Sequence, residues 1–212
     1  MSGTGLFIVL EGLDGAGTTT QAKMLVEWLE SKGHKGHLTA EPSRGPIGRL
    51  IREVLGGVRS GADGAPLTSP ALAALFVADR ADHIVSEIEP ALAAGTHVVC
   101  DRYVHSSLAY QGVDNDVEWI AAMNAPMRRP DLTIFVRVEP ETASRRRAQR
   151  GSDEERFESD MFQKSVAEIY LRCRSLRPQD PLVEVDGHGD VSSVHRAICA
   201  EVDRALKEGV ES

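Results

Sequence analysis

Strand-like runs recur along the chain at 6–10, 36–40, 96–100, 132–138 and 182–186. The clearest, Leu6-Phe7-Ile8-Val9-Leu10, is continuously apolar, which suits a strand buried on both faces of a parallel sheet. Helical patterns fill the intervals at 18–32, 46–56, 69–94, 116–127, 140–150, 154–176 and 190–207. In the first, Ala22, Leu25, Val26 and Leu29 fall at i, i+3, i+4 and i+7. In the last, Val194, Ile198, Val202 and Leu206 keep a four-residue spacing behind Asp190, a suitable N-cap. Gly56 to Pro66 is rich in glycine and polar residues and reads as a surface loop. This alternation predicts one α/β domain with a five-stranded parallel sheet and helices on both faces. Ligands in such sheets bind beyond the carboxyl ends of the strands, so the residues just after each run are the informative ones.

After the first run comes Glu11-Gly-Leu-Asp-Gly-Ala-Gly-Thr-Thr-Thr-Gln21. The pattern G-x-x-x-x-G-K-[ST] describes a loop whose backbone amides cradle phosphates. Gly12 and Gly17 have its spacing and Thr19 fills the magnesium position, but the lysine position is Thr18. Strand, glycine loop and helix is the context that motif needs. The glycines and the helix N-terminus keep an anion site without the lysine. The mobile charge that reaches the outer phosphates is what is lost. Removing one such preorganised donor typically costs roughly 10²–10³ in rate.

Glu41-Pro42-Ser43-Arg44 follows the second run and Asp101-Arg102-Tyr103 the third. Arg145, Arg146, Arg147, Arg150 and Arg156 flank a break at Gly151-Ser152-Asp153. Arginines at such density read either as a short lid, about 145–157, closing over a transferring phosphoryl group, or as a solvated, salt-bridged helix face. The formal net charge of −8 argues against an extended basic face for a nucleic-acid polymer. Apolar content of 42% is ordinary for a soluble domain, and no apolar run has membrane length. Cys100, Cys173 and Cys199 have no metal or redox spacing, which fits reduced thiols in the cytoplasm.

Several segments, in this order, resemble the bacterial thymidylate kinases among the P-loop nucleoside monophosphate kinases. They are Glu11-Gly-Leu-Asp-Gly-Ala-Gly17, Glu41-Pro42, Leu75-Phe-Val-Ala-Asp-Arg80, Asp101-Arg-Tyr with Ala109-Tyr-Gln-Gly112, Arg129-Pro-Asp-Leu-Thr133, and Pro140-Glu141 with Arg146 and Arg150-Gly151. The resemblance implies a three-layer P-loop kinase fold, a homodimer, and transfer of phosphate from ATP to dTMP with Mg2+. It assigns ATP to Gly12, Leu13, Asp14, Gly15, Ala16, Gly17, Thr18, Thr19 and Thr20, and the metal to Thr19 and Asp101. It assigns dTMP to Asp14, Glu41, Pro42, Phe76, Arg80, Arg102, Tyr103, Ser106, Ser107, Tyr110 and Gln111. Phe76 would stack on the base, Arg80 and Arg102 would take the acceptor phosphate, and Tyr110 would disfavour a 2′-hydroxyl. Asp14, Arg102, Arg146 and Arg150 would be catalytic, the last two supplying the charge that Thr18 does not.

The chain departs from the family pattern at Thr18 and at Arg137, where an aspartate is usual. Two alternatives to a dTMP kinase follow: a kinase with another acceptor, and a nucleotide-binding protein with weak or no catalysis.

Overall fold

The computed structural model describes residues 4–149 and 156–208, the side chains of 156–159 excepted. Its sheet has five parallel strands in the order β2-β3-β1-β4-β5. They are β1 (Phe7–Glu11), β2 (Gly36–Ala40), β3 (His97–Asp101), β4 (Leu132–Arg137) and β5 (Leu182–Asp186). β1 lies in the middle, with Val9 opposite Cys100 on β3 and Thr133 on β4. Every β1 residue is fully buried, which is why its sequence runs apolar without alternation until Glu11.

The helices are α1 (Thr18–Ser31), α2 (Pro46–Leu55), α3 (Ser69–His83), α4 (Glu89–Ala93) and α5 (Val104–Gln111). They continue with α6 (Val117–Met123), α7 (Pro140–Ala148), α8 (Arg156–Leu176) and α9 (Val191–Glu208). The chain steps from β1 outward to β2, then back through β3 and across β1 to β4 and β5. Right-handed crossovers therefore put α1 on one face and the helices of the later crossovers on the other. α9 returns to pack on α1, and α5 packs on α8. Asp190 caps α9 as expected, its Oδ1 accepting from Ser193 N at 2.7 Å.

Two segments differ from the sequence reading. The span 69–94 is not one regular helix: a π-helical turn, Ile84–Ile88, separates α3 from α4. Pro90 lacks an N–H and its ring crowds the carbonyl four residues back, which the wider turn accommodates. The second difference is α5, a helix where no pattern was seen. Its residues Val104 to Ala109 are all buried, so the segment has no polar face to set a period.

Candidate active site

β1 runs straight into the glycine loop. Gly15 and Gly17 hold φ values of +96° and +98°, where a side chain is strained. A Cβ on Gly15 would also lie 2.5 Å from the carbonyl oxygen of Ala143, so α7 presses directly on the loop. Gly17 is the N-cap of α1, whose first amides have no partner inside the helix. The loop encloses a cavity of about 250 Å³ lined by Leu13, Asp14, Gly15, Gly17, Thr18, Thr19 and Thr20, with Arg102 and Arg147. Gly12 and Ala16 are buried beneath it. Thr18 is 4% exposed, and its methyl faces Gly12.

Thr19 Oγ1 donates to Asp101 Oδ2, while Asp101 Oδ1 is buried without a partner. A hydroxyl beside a vacant carboxylate oxygen suits a hard cation. No cluster of three or more His, Cys, Asp or Glu side chains among the described residues could hold a metal. A Mg2+ here would take its remaining ligands from phosphate and water, its common habit.

Beside the loop is a second cavity, of about 490 Å³. All eleven residues expected on the acceptor side line it: Asp14, Glu41 and Pro42; Phe76 and Arg80 on α3; Arg102 and Tyr103 at the β3–α5 turn; and Ser106, Ser107, Tyr110 and Gln111 on α5. Phe76 is half-buried and belongs to the cavity, not to the core. Gln111 Oε1 is buried there with no partner.

The two arginines of this cavity differ. Arg80 is 1% exposed and fully engaged. Its Nε and Nη2 donate to Glu41 Oε2 at 2.9 and 2.6 Å, and Nη2 also reaches Tyr103 O and Ser107 Oγ. Nη1 donates to Asn124 Oδ1. Glu41 supplies its counter-charge, and Arg80 lines the cavity as part of the floor. Arg102 is more open. Nη2 donates to Asp14 Oδ1 at 2.8 Å, Nη1 to Ser106 Oγ at 3.2 Å, and the guanidinium lies 4.8 Å from the centre of the Tyr110 ring. Burial works against its charge, but Tyr110, Tyr170, Asp14 and Glu11 around it more than offset that and raise its pKa.

Arg102 has φ +72°, the left-handed region that few non-glycine residues occupy. Glu11 holds the turn that follows. Oε1 of this fully buried carboxylate accepts from the amides of Tyr103 at 2.9 Å and Ser106 at 3.1 Å, capping α5 from another strand. Oε2 accepts from Ser106 Oγ and from the Tyr170 hydroxyl.

Asp14 ties the two cavities together. Its N–H donates to the Tyr110 hydroxyl at 3.0 Å and its carbonyl accepts from Arg147 Nη1 at 2.8 Å. Its carboxylate accepts from Arg102 on one oxygen and from Gln163 Nε2, at 2.8 Å, on the other. Burial pushes the Tyr110 phenol up to about 12, with Arg102 pulling the other way, so the hydroxyl keeps its proton.

Of the arginines expected in a lid, Arg146 donates to Gly187 O at 2.9 Å, beyond β5, and is absent from the lining of the loop cavity. Its neighbour Arg147 is there instead. Arg150 and the side chain of Arg156 lie outside the described residues. Arg137 is exposed and stands 3.9 Å from Glu184. The sequence reading placed Arg147 in the arginine-rich segment without singling it out, and it missed Asp160, Phe162 and Gln163. In the chain they are ordinary positions of polar or amphipathic helices, and only the docking of α7 and α8 on the loop gives them a role.

A strand–loop–helix anion cradle beside an arginine-bearing acceptor cavity, on a 2-3-1-4-5 parallel sheet, defines a P-loop phosphotransferase. The family model for thymidylate kinase matches residues 10–198. Among curated proteins, the probable thymidylate kinase of Thermococcus gammatolerans is 40% identical, the match covering 97% of this chain and 100% of the relative. That of Pyrococcus horikoshii is 40% identical over 95% of this chain and 98% of its own length. The thymidylate kinase of Ruegeria pomeroyi is 43% identical over 92% of each. The chain belongs to the thymidylate kinase family.

Proposed function

We propose that this protein phosphorylates dTMP to dTDP with ATP. The observation that carries the reading is Asp14, which joins the phosphate loop to Arg102 across the wall between the two cavities. Arg102 takes the acceptor phosphate, Phe76 stacks on the base and Tyr110 lies against the sugar. Gln111 Oε1 is the vacant acceptor for a ring N–H. Thymine carries one at N3 and cytosine does not, so dCMP is refused at this atom. Thr19 and Asp101 would hold Mg2+, which would supply neutralising charge on the donor phosphates. Neither family nor geometry favours the binding-only alternative.

Two coarser readings accompany this one. The exposed side of α3 carries Ala71, Ala74 and Ala78, followed by exposed Val85, a small-residue face suited to pairing with a second copy. A monomer in sedimentation velocity would remove that reading. Three free, buried thiols agree with a cytoplasmic enzyme, which cell fractionation would test.

The deciding experiment is dTDP formation by the purified protein with ATP, Mg2+ and dTMP, against dUMP, dCMP and no acceptor. The reading requires turnover with dTMP well above dCMP. Absence of turnover at protein concentrations that bind dTMP would end it.

A further inference from the structure

Thr18 presents no charge to the loop cavity, being buried with its methyl against Gly12. The amides and the α1 dipole offer partial charge only. Among the described residues, two full cations line the cavity, Arg102 and Arg147. Arg102 is shared with the acceptor side and held by Asp14 and Ser106. Lys23 and Arg44 line a separate cavity of about 430 Å³ that also reaches Thr19 and Asp101, and neither lines the loop cavity.

Arg147 is built onto the loop itself. Its Cγ would be 3.3 Å from a Cβ on Gly15. Nη1 donates to the Asp14 carbonyl and Nη2 to Asp160 Oδ1, both at 2.8 Å. Asp160 is held in turn by Ser144 Oγ at 3.0 Å. Two hydrogen bonds leave further N–H groups of a guanidinium, which carries five, for a ligand. The side chain is 23% exposed, sheltered enough for its charge to count and open enough to be reached.

We propose that Arg147 is the cation that replaces the missing loop lysine and contacts the outer phosphates of ATP. This rests on the reading of the chain as a dTMP kinase. In the transfer, an oxygen of the acceptor phosphate bonds to the γ-phosphorus. The bond from that phosphorus to the β–γ bridging oxygen breaks, and the electron pair stays on the oxygen, now terminal on the ADP β-phosphate. Charge on the outer phosphates grows on this path, and a braced guanidinium neutralises it without reorganising. Arg146, one residue earlier and turned to Gly187, does not take this part.

The test compares R147A, R147Q, T18K and the double variant T18K/R147A with the wild type. Each is read by dTDP formation and by calorimetric affinities for MgATP and for dTMP, on protein verified as folded by circular dichroism. R147A is expected to lose on the order of 10²–10³ in kcat, to bind MgATP more weakly, and to keep its dTMP affinity within roughly threefold. T18K in the R147A background restores at least about tenfold of the loss, because it returns a cation to the same cavity. R147Q keeps a donor for the Asp14 carbonyl without the charge. It is expected to be as impaired as R147A, whereas a wild-type rate in R147Q would reduce Arg147 to a brace. R147A within roughly threefold of wild type, or a double variant no better than R147A, would also overturn the proposal. Failure of the wild type to turn over would defeat the kinase reading alone. MgATP affinity would then decide Arg147 by the same pattern of loss and rescue.

Discussion

The acceptor cavity and the phosphate loop meet at Asp14 but are completed in opposite ways. On the acceptor side, the elements that end at the cavity bring their own counter-charges: Arg80 lies on Glu41, Arg102 on Asp14, and Glu11 takes donors from the turn above it. The loop keeps its backbone and the Thr19 hydroxyl, while the full charge facing it comes from the turn after β3 and from α7. A motif position can therefore be empty in sequence while the site it served is filled in space. Four substitutions, beginning with the most damaging, probe how far this difference extends.

Arg80 and Arg102 line one cavity but should fail in different assays. Arg80→Ala leaves Glu41 buried without its guanidinium, although His83 Nδ1 stands 3.2 Å from Oε1. Breaking a buried pair from one side costs about 3–5 kcal/mol. Urea denaturation at neutral pH should show that loss, and a cost below about 1 kcal/mol would mean that the pair does not hold the floor. Arg102→Ala, next in size, should leave stability nearly unchanged, since the Asp14 side chain is 48% exposed and water can replace the arginine. Its loss belongs in kcat/KM for dTMP, on the order of 10²–10³-fold. Equal losses of stability in the two variants would erase the distinction.

Glu11→Gln tests what aims Arg102. An amide in place of the carboxylate turns one acceptor into a donor facing the Tyr103 and Ser106 amides or the Ser106 and Tyr170 hydroxyls. Hydrogen bonds to charged groups are worth about 1.5–3 kcal/mol, and the cost here should fall in that range. Because the turn also fixes the left-handed Arg102, KM for dTMP should rise more than KM for ATP. Equal rises would make Glu11 a core residue with no bearing on the acceptor.

Glu11 also shows where the sequence stops being legible. The inner strands β1, β3 and β4 were readable within a residue or so because burial on both faces leaves largely apolar runs. The loop was readable because its glycines serve backbone geometry that no other residue meets. α5 was not, because its cap is no local side chain but Glu11, 92 residues earlier than Tyr103. The cavity residues from Arg102 to Gln111 were named through the resemblance, and one cavity gathers all of them. The different partners of Arg80 and Arg102 were hidden, since they depend on Glu41 reaching Arg80 across 39 residues. The pairing of Arg147 with Asp160 was hidden for the same reason: it depends on α7 and α8 docking on the loop.

The smallest effect concerns acid sensitivity beneath the acceptor side. His105 on α5 is 2% exposed, its Nε2 has no hydrogen bond, and Asp180 Oδ2 stands 3.8 Å away. Burial pushes its pKa below 6.5, and Arg177 and Arg80 add to that, while Glu11 and Asp180 oppose it. The ring stays neutral in the fold when the unfolded chain takes up a proton. Below pH 6.5 the unfolded state therefore binds more protons and stability falls as pH falls, by at most about 1.4 kcal/mol per pH unit for this group. His105→Gln removes that proton. Its stability relative to wild type should improve steadily as pH drops from 7 towards 5 and stay constant above, after any fixed packing cost. Denaturation midpoints at matched m-values would show this as converging curves. Curves that stay parallel through the acid range would place the acid sensitivity of the acceptor side elsewhere.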